Sequence, residues 1–108
     1  MPMKILLATA LAAVTLGSTP AAETFVGTVS DSMCAQSHTA MRMGPTDAAC
    51  TDACIEEHGA SYVLVDADHV YRLSDQRAPK PFAGKKAKVV GTLDARTSTI
   101  TVTAITTG

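Results

Sequence analysis

The chain has 108 residues, 46% of them hydrophobic but only 4% aromatic, 18% charged, with a net charge of −1, three Cys, five Met and no Trp. That length holds one domain, and a near-neutral balance with so few aromatic residues excludes a disordered polymer and a nucleic-acid-binding arm. The odd number of cysteines is the feature that composition leaves to be explained.

In chain order, residues 1–22 read as a secretory signal peptide: Lys4 supplies a positive n-region, 5–16 are apolar or small, and 17–22 are small residues suited to cleavage after Ala21 or Ala22. Twelve residues span only about 18 Å of helix, short of a ~30 Å bilayer core, so no stable membrane anchor is expected. The expected product is a periplasmic or secreted single domain, 23–108. A domain this small buries only about 60–65% of its unfolded-chain surface, and exported domains of this size commonly add disulfides or a metal.

Residues 24–30 are β-branched and predict a first strand. The runs 61–65 and 70–73, joined by Asp66-Ala67-Asp68-His69, predict a hairpin with His69 solvated in its turn. After the turn-rich stretch 78–81, residues 87–93 and 99–105 predict two more strands. In the last of these, Thr99, Thr101 and Thr103 alternate with Ile100, Val102 and Ala104, so the second set is expected to face inward.

Between the first two strands lies an insertion, 31–59, rich in Met, Cys, His and Ala. Pro45-Thr46-Asp47 predicts a capped helix start and Gly59 a helix stop, while Ser30 or Ser32 is expected to cap a short turn carrying Met33, Cys34 and His38. Charge is uneven: residues 23–68 carry eight acidic side chains against Arg42 alone, and 69–108 carry seven basic ones against Asp75 and Asp94. The basic part, with Lys85, Lys86 and Lys88, reads as a solvated strand face.

The array Cys34-x3-His38 followed by Cys50-x3-Cys54-x3-His58 is where unusual chemistry must sit. Residues four apart on a helix share a face, so Cys50, Cys54 and His58 form one stripe. Helical i, i+4 Cβ atoms stand about 5–6 Å apart, wider than the roughly 3.5–4.5 Å of a disulfide but within the span of two thiolates on a metal. Three readings stay open. The first is a non-catalytic metal-binding module in which Cys34, Cys50 and Cys54, completed by His58 or His38, hold Zn(II) or Cu(I). The second is a disulfide-stapled domain that binds a protein or small ligand, with Cys34 bonded to Cys50 or Cys54 and the third thiol able to link two chains. The third is a thiol redox protein, which the acidic surroundings disfavour because they raise thiol pKa values. Met33, Met41 and Met43 lean toward copper but more ordinarily fill a core. Haem attachment needs Cys-x-x-Cys-His and is excluded by spacing.

Phe25-x-Gly27-x-Val29-Ser30-Asp31-Ser32-Met33-Cys34, Cys50-Thr51-x-x-Cys54, Gly59-Ala60-x-Tyr62-Val63-Leu64-Val65 and Ala83-Gly84-Lys85-x-x-x-Val89-x-Gly91-Thr92-Leu93-Asp94 resemble a group of small exported bacterial proteins of unknown function. That group often has Gly after the first Cys, where this chain has Ala35. The resemblance implies export and a small barrel, and no activity. The expected fold is therefore mainly β, a five-stranded OB-like barrel with a short helical Cys/His insertion between strands 1 and 2.

Overall fold

The computed structural model describes residues 21–35 and 46–108. Nearly all of the expected signal peptide, together with His38, Met41 and Met43, lies outside the described residues. In chain order the elements are β1 (Glu23–Asp31), α1 (Asp47–His58), β2 (Tyr62–Val65), β3 (Val70–Leu73), a 3-10 turn (Lys80–Phe82), β4 (Lys86–Asp94) and β5 (Thr99–Thr107). The five strands and the helix between the first two match the sequence expectation.

The strands pair in the order β1-β2-β3-β5-β4, and β1 also pairs with β4, so the sheet closes into a barrel. Every neighbouring pair is antiparallel except β3 and β5, which run parallel through Arg72 opposite Thr99 and Leu73 opposite Ile100. Closure removes the exposed backbone edges that a small open sheet would present. The β2–β3 hairpin turns through reciprocal bonds between Asp66 and His69, the Asp66 amide donating to the His69 carbonyl at 2.9 Å.

Alternation places the core. Ala87 and Val89 of β4 point inward while Lys86 and Lys88 stay exposed, and Val29, Leu64, Leu73 and Ile100 meet them in one cluster. Each fully buried Leu or Ile contributes about 1.5–3 kcal/mol relative to exposure. The alternation expected for β5 holds only in its first half. Opposite Val90 and Gly91 the register skips Thr103, a β-bulge that turns Ala104 outward and brings Ile105 against the core. A Cβ at Gly91 would run into the Thr101 carbonyl, so the kinked strand needs glycine opposite it.

The helix begins as its sequence predicts: the Thr46 side chain accepts from the Ala49 amide at 3.1 Å, and Gly59 ends it with a left-handed φ of 69°. Its buried residues are Cys50, Thr51 and Cys54, so two thiols stand where a docked helix usually places Leu or Ile. Gly84, at φ 75°, lets the first turn of α1 approach, since a Cβ there would lie 2.6 Å from the Ala48 nitrogen. The acidic and basic halves of the chain meet in an exposed pair, Lys80 with Glu56 at 3.5 Å, a kind of contact that adds little stability.

Truncating the fully buried Leu64 to Ala is expected to cost about 2–5 kcal/mol in urea unfolding, whereas the same change at the partly exposed Val70 costs less than about 1.5 kcal/mol. Equal losses would contradict the placement of the core.

Candidate metal centre

The site forms where β1 leaves the barrel. Asp31 is the last residue of β1 and is 0% exposed. Its Oδ2 accepts from the Met33 amide at 3.0 Å and the Cys34 amide at 2.9 Å, an Asx-type turn that points the chain back toward α1. The Ala35 amide donates to the Asp31 carbonyl at 2.8 Å, and the Ser30 hydroxyl donates to the Ala35 carbonyl at 2.7 Å. The expected serine cap is thus replaced by Asp31, because a carboxylate accepts two amides at once. Ser32 instead ties the turn to β2, its Oγ accepting from the Ser61 amide at 3.0 Å. Ala35 sits at φ 46°, a left-handed conformation that favours glycine.

From the other side, α1 presents Cys50 and Cys54, both 0% exposed. The three cysteines, all among the described residues, are thiols. One ligand atom each from Asp31, Cys34 and Cys54 lie within 4.8 Å of one another. Cys50 sits one helical turn before Cys54 and is close enough to act electrostatically on both other thiols. Tyr62 braces the helix on β2, its hydroxyl donating to Asp52 Oδ1 at 2.8 Å.

Of the other residues singled out in the sequence, those described sit elsewhere. His58 lies on the same helical stripe as the cysteines, but it is exposed at the end of α1 and outside the Asp31, Cys34 and Cys54 group. His38 lies outside the described residues. Met33 is 45% exposed, so it fills no core. His69 is exposed beside the hairpin turn and stacks on Tyr71 with ring centroids 5.5 Å apart. Asp31 is the site residue that reasoning from Cys and His missed, and its signal was the spacing Asp31-x-x-Cys34, which suits a side chain bonding the amides two and three residues on.

The surroundings hold Cys34 and Cys54 protonated. Burial pushes Cys54 up to about 12, helped by the Asp31 carboxylate, the neighbouring thiols and a hydrogen bond with Asp31. Burial, then Asp31 and Cys50, also raise Cys34, while a hydrogen bond with Cys54 partly opposes them. Protonated thiols are poor nucleophiles. A cation placed among the same groups would invert that balance, since its charge stabilises thiolates and relieves their repulsion with the carboxylate.

Fold and site together define a small closed β-barrel carrying a buried carboxylate–thiol cluster between its first strand and an inserted helix. The chain belongs to the family described as Protein of unknown function (DUF5818), whose sequence model matches residues 54–107. The matched segment begins at Cys54 and runs through β2 to β5, so Asp31, Cys34 and Cys50 fall outside it. No curated protein and no solved structure matches the chain.

A thiol whose folded pKa lies near 12 against an ordinary 9.0 favours the folded state fully below pH 9, and that contribution is lost as pH rises from 9 toward 12. Metal-free protein is therefore expected to lose stability across this window more steeply than its Cys54→Ala variant in urea unfolding. The Tyr62 hydroxyl, also raised by burial and Asp52, declines alike in both. Parallel curves would show that Cys54 ionises as an exposed thiol does.

Proposed function

We propose that the protein is an exported, non-catalytic metal-binding module that holds Zn(II) between Asp31, Cys34 and Cys54, with Cys50 as the fourth ligand. The observation that carries this reading is the convergence of a buried carboxylate and two thiols within 4.8 Å from separate elements. A tetrahedral ion with Zn–S bonds of ~2.3 Å sets ligand edges of roughly 3.7 Å, so side-chain rotations that draw the group inward by about 1 Å complete the shell. Mixed oxygen and sulfur donors suit Zn(II) better than Cu(I), which prefers an all-soft set. The exposed His58 is the alternative fourth ligand on the helix, at the cost of unwinding its last turn. The strand order and the parallel β3–β5 pair support an OB-type barrel as scaffold, and the sequence pattern of 1–22 supports export.

Reduced protein is expected to bind one equivalent of Zn(II), releasing protons as the thiols ionise, and to gain about 4 kcal/mol of stability at a thousandfold excess over Kd. Co(II) in its place gives thiolate charge-transfer absorption. Asp31→Asn and Cys54→Ser each abolish stoichiometric binding, while His58→Ala retains it. Unchanged binding in Asp31→Asn and Cys54→Ser would remove the cluster as the site.

A second reading rests on the closeness of the Cys34 and Cys54 sulfurs, which share the same group: in an oxidising compartment they form a disulfide and staple the turn after β1 to α1, leaving Cys50 buried. An intact mass two units below the reduced value, with no bound metal, in protein isolated from the periplasm would select it over the first.

A further inference from the structure

A cavity of about 430 Å³ lies apart from the thiols, where the ends of β2 and β3 meet the start of β5 and the turn after β1. Val63, 2% exposed and opposite Arg72 in the strand register, supplies the apolar lining on that face, whereas the Leu73 side chain belongs to the barrel's buried cluster. Val63 is not a member of that cluster. Around Val63 stand Ser32, Ser61, Gln76 and Arg72.

The polar wall is chemically one-sided. Arg72 is the only charged lining residue, and no ion pair engages its guanidinium among the described residues. Gln76 is fully committed as a fixed rim: its Oε1 accepts from the Tyr62 amide at 2.7 Å, and its Nε2 donates to the Tyr62 and Leu73 carbonyls at 3.0 and 2.9 Å. The Ser32 Oγ already accepts from the Ser61 amide, so the proton of its hydroxyl is what it offers a ligand. Arg72 is held by the register on both sides, opposite Val63 of β2 and Thr99 of β5, with its amide donating to the Ser98 carbonyl at 2.8 Å.

We propose that this cavity binds a small organic monocarboxylate, its carboxylate on the Arg72 guanidinium and its short hydrocarbon body over Val63. A planar guanidinium matches a planar carboxylate through two parallel hydrogen bonds. One positive charge balances a monoanion, whereas a phosphate dianion needs a second cation or a cluster of backbone amides, and the lining supplies neither. The volume falls within the range of small-molecule sites. The inference does not rest on metal binding, since none of the three clustered ligands lines the cavity.

Titration of the 15N-labelled chain with butyrate, acetate and inorganic phosphate, followed by amide chemical shifts, tests it. Butyrate is expected to give saturable shifts centred on Ser32, Ser61, Arg72 and Gln76, with an affinity at least threefold above that of acetate. Arg72→Gln weakens butyrate at least tenfold, and Lys88→Gln, on the exposed face of β4, leaves it unchanged. The proposal is overturned if Arg72→Gln binds as the wild type does, if phosphate outcompetes butyrate, or if the shifts centre on residues 85–88.

Discussion

The Asp31 carboxylate, withdrawn from solvent at the end of β1, is the constraint around which the rest of the molecule is arranged. A buried anion is costly unless hydrogen bonds satisfy it, and here the amides of Met33 and Cys34 do so by closing a turn. The same turn delivers Cys34 toward the helix, and Cys54 comes to the carboxylate from the opposite side. Burial and the Asp31 charge together hold Cys54 protonated. What makes the cluster stable as thiols is therefore also what a cation would exploit, because each proton removed would otherwise leave a second negative charge beside Asp31.

The barrel supplies the rigidity this arrangement needs. Strand β1 pairs with β4 through residues 23–28 and with β2 through residues 28–31, so its end cannot swing away from the helix without breaking the β2 ladder. The helix, in turn, is fixed at its start by the close approach to Gly84 and in its middle by the Tyr62–Asp52 hydrogen bond. Its fully buried residues are two cysteines and a threonine, with the partly buried Ile55 packing against the barrel core, so the helix docks in part through the candidate cluster itself. Structure and site are hard to separate in so small a domain, where few apolar residues remain to do the docking independently.

The turn after β1 also joins the two sites. Asp31 and Cys34 face the helix, while Ser32, between them, lines the cavity beside Arg72. The two places nevertheless differ in sign. One is a buried negative group that suits a cation, and the other is a partly open recess with a single positive side chain that suits an anion. The uneven charge along the chain, acidic before residue 69 and basic after it, is thus resolved locally, with the acidic part providing the cluster and β3 providing the guanidinium.

Local patterns in the sequence determined the elements. Runs of β-branched and apolar residues bounded by turn signals marked all five strands, Asp66 to His69 marked the hairpin, and Thr46 and Gly59 marked both ends of the helix, because caps and turns depend on side chains acting within a few residues. The i, i+4 spacing of Cys50 and Cys54 likewise fixed their shared face. Only the tertiary structure decided what that face meets. That Asp31 joins Cys34 and Cys54 depends on where β1 ends relative to α1, and that Ile105 replaces Ala104 in the core depends on a bulge opposite Gly91. Both are set by strand register around a closed barrel, a long-range quantity that no short window of sequence contains.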